Sequence, residues 1–264
     1  MTFRLFAILL LTGVAGCAGP PSSPSIGATG NDKSDQLIRM ARDVETNGGE
    51  DTALVLYRQA VTVSGRSPAA YVQLGDAYVR FRRYTEAVKA YRAALAGDPN
   101  NGEAQLGLGT VLVQRDSLES GLAALTKAAP LVNTGAAYNR LGVAQTMAGK
   151  FSDAQVTFEK GLGVAADDID ITTNLALAAA LAGEADKAVG LVNQIATSPA
   201  AKSLHRRNLV IVLGIIGGSS HDAKAVAPQD LSPSAFDALF GRAASIRHIT
   251  NPVARAHALG TIRG

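Results

Sequence analysis

A pattern that returns every 33 or 34 residues constrains this chain more than any other feature. Leu74-Gly75, Leu108-Gly109 and Leu141-Gly142 recur at that spacing. The same phase continues at Leu175-Ala176 and Leu209-Val210, and it reaches back to Met40-Ala41. A period of this length marks a chain of stacked supersecondary units, each able to bury its apolar face only against its neighbours. Composition sets the kind of unit. Hydrophobic residues make up 47% of the 264, aromatics only 5%, and Trp is absent. Such a mixture favours close-packed helices over a β-sandwich or barrel. A net charge of +3 is too small an excess to indicate a nucleic-acid partner. One cysteine excludes an intramolecular disulfide and a multi-cysteine zinc site.

Residues 68–101 carry the pattern most fully. Tyr71, Leu74, Gly75, Tyr78, Ala87, Tyr91, Ala94 and Pro99 occupy all eight signature positions of the tetratricopeptide repeat, which the unit resembles. The spacing has a physical reason: two antiparallel helices can approach closely where Gly75 and Ala87 cross, the tyrosines fill the gaps, and Pro99 ends the second helix. The other units are degenerate but in register. Residues 34–67 keep Ala41, Ala53, Tyr57 and Ala60; 102–134 keep Leu108, Gly109, Leu125 and Ala128, with Gly121 where alanine is expected. Residues 135–168 keep Tyr138, Leu141, Gly142, Ala154 and Phe158; 169–202 keep Leu175, Ala176 and Ala188; 203–236 keep Leu209 and Ala223, with a second helix shortened by Pro228. The β-branched stretch 209–216 could pass for a strand, but its repeat phase makes it a first helix. Residues 234–248 place Phe236, Leu239, Phe240, Ala243 and Ile246 on one helical face, as a capping helix would. The resemblance therefore implies an all-α protein, a right-handed superhelical solenoid of about five to six repeats over 34–236. A capping helix and a loose tail follow over 237–264.

By the same resemblance, the first helix of each unit lines a concave surface. Val72, Asp76, Arg80, Asn139, Val143, Thr173, Arg207 and Ile211 are then expected to face a peptide groove, with Asn174 and Asn208 beside it. Asparagine amides and arginine can bond a peptide backbone, and the aliphatic residues supply apolar contact.

The N-terminus reads as an address. Arg4 precedes the apolar run Leu5–Leu11, the pattern of a secretory signal and too short to span a bilayer. The only cysteine, Cys17, follows Val14-Ala15-Gly16, a sequence that resembles the bacterial lipobox. This resemblance implies a signal peptide over 1–16, cleavage before Cys17 and acylation of its thiol and new amino group. Several acyl chains make a stable anchor, since each buried CH₂ contributes about 0.8 kcal/mol. Ala18, by resemblance to Gram-negative lipoproteins, implies sorting to the outer membrane. Residues 17–33, rich in Pro, Gly and Ser, are expected to tether the anchor to the folded body.

Nothing in the sequence converges on catalysis, and no enzyme is expected. His205, His221, His248 and His257 lack metal-ligand spacing and are expected at the surface. Ser220-His221-Asp222 lists triad residue types, but contiguous residues do not form a triad. Gly142 and Gly149-Lys150 are too far apart for a phosphate loop, and Phe151 stands where Ser or Thr is required. Neither a metal nor a cofactor is expected beyond the lipid on Cys17. The basic cluster Arg80-Phe81-Arg82-Arg83-Tyr84 reads as a solvated turn or as a patch for an acidic partner or anionic lipid.

Three C-terminal segments, Asn174–Gly183, Arg207–Gly217 and Asp230–Pro233, together with the lipobox, the tether and the chain length, resemble the TadD family. These are tetratricopeptide lipoproteins of the tight-adherence (Flp) pilus system. The resemblance implies a pilotin-like scaffold at the periplasmic face of the outer membrane, its groove holding part of a secretin subunit or another pilus-assembly component. The alternative is a general periplasmic adaptor for peptidoglycan enzymes or outer-membrane protein assembly.

Overall fold

A computed structural model describes residues 30–263, and all regular structure within them is helical. The expected signal peptide, Cys17 and most of the expected tether lie outside the described residues. The first helix begins at Gly30, a few residues inside the expected tether.

The helices alternate in pairs. α1 (Gly30–Thr46) and α2 (Glu50–Val63) form the first hairpin, α3 (Pro68–Arg80) and α4 (Tyr84–Gly97) the second, α5 (Gly102–Gln114) and α6 (Leu118–Val132) the third. α7 (Gly135–Met147) with α8 (Phe151–Val164) and α9 (Ile169–Ala182) with α10 (Ala185–Thr197) follow. The β-branched stretch is helical, as the repeat phase requires, within α11 (Ser203–Ile216).

Two local devices set the period. The turn inside each hairpin places one residue at positive φ: Gly48, Arg82, Asp116, Gly149, Gly183 and Gly217. A residue in this conformation ends a helix and reverses the chain. At the other end, Ser67, Asn101, Thr134 and Asp168 accept a hydrogen bond from the backbone N–H three residues on, capping α3, α5, α7 and α9. A short oxygen-bearing side chain there satisfies a donor that the helix cannot.

Packing inside each hairpin follows a size rule. The small residue of the first helix (Ala41, Gly75, Gly109, Gly142 or Ala176) lies opposite a large buried one of the second: Tyr57, Tyr91, Leu125, Phe158 or Val192. At Gly142 a Cβ would fall within 3.0 Å of the Phe158 ring. Gly121 is explained in the same way. A side chain there would strike the Gly109 carbonyl and Val113, so alanine does not fit.

The C-terminal end departs from the repeat. α12 (Ser220–Val226) has only seven residues and stops before Pro228. α13 (Pro233–Ile246) packs along α11 instead, with Phe236, Leu239, Ala243 and Ile246 buried. That is the expected capping helix. The tail expected to be loose is instead helix α14 (Pro252–Arg263), which returns to α7 and α9. Among the described residues no helix is long and apolar enough to cross a membrane.

Candidate binding groove

The first helices of successive units touch one another, α3 with α5, α5 with α7, α7 with α9, and α9 with α11. They form one continuous inner wall, and polar rungs cross it at about one-repeat spacing. Arg42 donates to Gln73 at 2.6 Å, Asn174 to Asn139 at 2.9 Å, and His205 Nε2 meets Asp170 at 2.8 Å. Arg80 pairs with Glu45 through two nitrogens and also reaches the Tyr57 hydroxyl at 3.1 Å. Arg80 holds the Glu45 carboxyl below its ordinary range, and burial pushes the Tyr57 phenol up.

An open cleft of about 420 Å³ lies over α3, α5 and α7, lined by Asp76, Arg80, Glu103, Thr110 and Arg140, with Tyr91 at its base. Tyr91 comes from α4, behind the wall. Its ring passes between Gly75 and Gly107, and a Cβ at either glycine would fall within 3.0 Å of it. The hydroxyl emerges in the cleft and donates to Asp76 Oδ1 at 2.7 Å. Gly107 carries a role that the repeat signature does not mark. The ring it receives belongs to the preceding unit.

Burial is the largest influence on Asp76 and raises its pKa, against the Tyr91 hydrogen bond and the nearby Arg80, Arg140 and Arg42 charges. The sign follows. A carboxyl whose folded pKa exceeds its unfolded one contributes stability below the unfolded value and loses it as pH rises through the folded one. Ionised Asp76 is thus a net cost near neutrality. Asp76→Asn, which keeps an acceptor for Tyr91, is expected to melt above the wild type at pH 7, with the gap closing as pH falls into the carboxylate range. Lower melting of the variant at pH 7 would mean that the arginines outweigh burial.

The residues expected in the groove divide into three groups. Asp76, Arg80, Asn139 and Val143 lie on the inner wall, as do Asn174 and the exposed Arg207. Val72 is buried against Ala94 and Ala104 between helices. Thr173 is also buried and donates to the Ile169 carbonyl, whereas Asn208 and Ile211, though little exposed, line an open cleft with Arg207, Leu239 of α13 and Ile262 of α14. Val72 and Thr173 face the interior because neighbouring first helices pack against each other as well as against their own partners.

The basic cluster is largely neutralised by the preceding unit. Arg80 pairs with Glu45, and Arg83 bonds both Glu50 at 3.1 Å and Asp51 at 2.9 Å. Arg140, by contrast, is exposed and has no hydrogen bond or ion pair among the described residues. His205 is not a surface residue. It is 4% exposed, and its Nδ1 accepts from the Lys202 N–H, where the other units carry a capping side chain. Its Nε2–H then points at Asp170. Among the described residues, no group of three or more His, Cys, Asp or Glu is placed to hold a metal ion.

Comparison with known proteins agrees with this architecture. Residues 72–136 match the tetratricopeptide repeat family. No curated protein matches the chain significantly. Among solved structures, a tetratricopeptide repeat protein from Parabacteroides merdae is similar at a TM-score of 0.65 and 15% identity, covering 87% of this chain and 92% of that one. PilF of Pseudomonas aeruginosa is similar at 0.62 and 16%, covering 88% and 98%. YrrB, described as a tetratricopeptide protein with an unusual peptide-binding site, gives 0.51 and 24%, covering 60% and 82%. The fold is that of a tetratricopeptide solenoid, an architecture used as a scaffold for protein partners.

Proposed function

We propose that this protein is an interaction scaffold whose open cleft over α3, α5 and α7 holds a segment of a partner protein, and that lipid on Cys17 anchors it to the periplasmic face of a bacterial outer membrane. The observation that carries the groove reading is the exposed Arg140, which makes no hydrogen bond or ion pair among the described residues, across a cleft from the partly buried Asp76. Together they offer a donor and an acceptor to a peptide backbone or to side chains of either sign. The anchor rests on the lipobox-like sequence around Cys17. The finer role is pilotin-like, assisting a secretin subunit in tight-adherence pilus assembly, and rests on the resemblance of the C-terminal segments to the TadD family. Its mechanism is tethering: anchoring one partner by lipid raises the effective concentration of the other at the membrane. No bond is made or broken.

A photo-crosslinking residue placed in living cells at Thr110, inside the cleft, tests this against the same residue at the exposed Arg58 of α2. A secretin subunit captured from Thr110 and not from Arg58 is the expected result. Peptidoglycan enzymes or outer-membrane assembly factors captured from Thr110 would keep the groove and remove the pilus role. Equal capture from both positions would remove the groove.

A further inference from the structure

The last helix of the chain lies where a ligand of the array would lie. α14 sits on the inner wall, against α7 and α9. Its start is seated closely: a Cβ on Gly149, in the α7–α8 turn, would strike the Pro252 and Val253 backbone. Ala256 and Leu259, one turn apart, are buried in the same apolar cluster as Leu177 and Leu181 of α9. Arg255 donates to the carbonyl of Leu181, and to that of Ile249 through Nε at 2.9 Å and Nη2 at 2.7 Å. Leu181 belongs to the last turn of α9, whose carbonyls lack intrahelical partners and favour a cation.

The fit is incomplete. A cleft of about 170 Å³ remains between Val143 and Met147 of α7, Leu177 of α9 and Leu259 of α14. Met147 stays 44% exposed beside it, and Val253 is 57% exposed. Among the described residues of α14 only Ala256 and Leu259 are buried; Ala258 and Ile262 pack against the same cluster but stay partly exposed, and Arg255 supplies the polar contacts.

We propose that the floor formed by α7 and α9 is a helix-binding site and that α14 is its resident occupant. The partner it accepts is a short amphipathic helix with a small and a large apolar residue at i and i+3, preceded by an arginine. α14 supplies the template: Arg255 caps α9, Ala256 permits close approach, and Leu259 enters the apolar floor, in the manner of helix-in-groove recognition. The site is separate from the open cleft over α3, α5 and α7, and it stands whether or not a secretin segment binds there.

The test uses the full chain and a fluorescent peptide of residues 250–264. Leu259→Glu removes the apolar anchor from α14 in the protein and leaves α7 and α9 unchanged. A site covered in more than nine-tenths of wild-type molecules gives at least about tenfold tighter peptide binding to the variant than to the wild type. Arg255→Ala in the protein gives a gain in the same direction, and keeps the test valid if Leu259→Glu loses helix content by circular dichroism. A peptide carrying Leu259→Glu binds neither protein. Equal affinity for wild type and both variants overturns the proposal. So does a wild-type dimer in light scattering that Leu259→Glu dissociates, because a second copy's α14 would then be the occupant.

Discussion

Tyr91→Ala should destabilise the array by about 3–5 kcal/mol, the range for removing a large buried aromatic side chain from a packed core. For an array of this length that is about 6–20 °C in melting temperature. The effect is large because the ring does two jobs. It fills the crossing of α3 and α4 above Gly75, and it continues past Gly107 into the interface with α5. Hydrogen exchange across α3, α4 and α5 is expected to report the loss first. Tyr91→Phe keeps the ring and removes only the bond to Asp76, so it should lose about 0.5–1.5 kcal/mol. The converse change, Gly107→Val, should also destabilise, by about 1–3 kcal/mol, since it drives a side chain into the ring. Added to Tyr91→Ala, Gly107→Val should lose much of its penalty, because neighbours sharing one space are not additive. Full additivity would place the ring elsewhere.

Cys17→Ala should abolish acyl labelling and membrane attachment while leaving the melting curve of the folded body unchanged. The thiol is the atom to which the lipobox resemblance assigns the lipid, and Cys17 lies thirteen positions before Gly30, where α1 begins. Metabolic labelling with a fatty-acid analogue and membrane fractionation read the two effects. Labelling that survives the substitution would remove the anchor, and with it the tethering mechanism. Retained labelling with loss of attachment is not expected, since several acyl chains hold a protein at a bilayer without further contacts.

The hairpins are legible in the sequence because one physical rule repeats. Where the Leu-Gly pair of the first helix recurs, at Gly75, Gly109 and Gly142, the second brings Tyr91, Leu125 or Phe158 against it. The caps at Ser67, Asn101, Thr134 and Asp168 follow the same period. They could have been read from it, since each carries an acceptor oxygen just before an apolar helix. Three features were not legible. Val72 and Thr173 occupy positions associated with the groove, yet burial depends on how closely neighbouring first helices meet, and that is a property of the stack. His205 was hidden because its partners lie at Lys202 and Asp170, the latter a full unit away. α14 has few large apolar residues and no repeat phase. What organises it is the surface that receives it, about seventy or more positions earlier in the chain on α7 and α9.

A stack of paired helices is a spring. Each unit touches only its neighbours, so small rotations at successive interfaces add up along the axis. α14 breaks that rule. By lying on α7 and α9 and joining them to α13, it acts as a cross-brace over the C-terminal half, where any stretching or bending must first shear it loose. The units from α1 to α6 carry no such brace among the described residues. Under load, or on taking up a partner, the compliance of the molecule is concentrated there, in the half that contributes most of the open cleft.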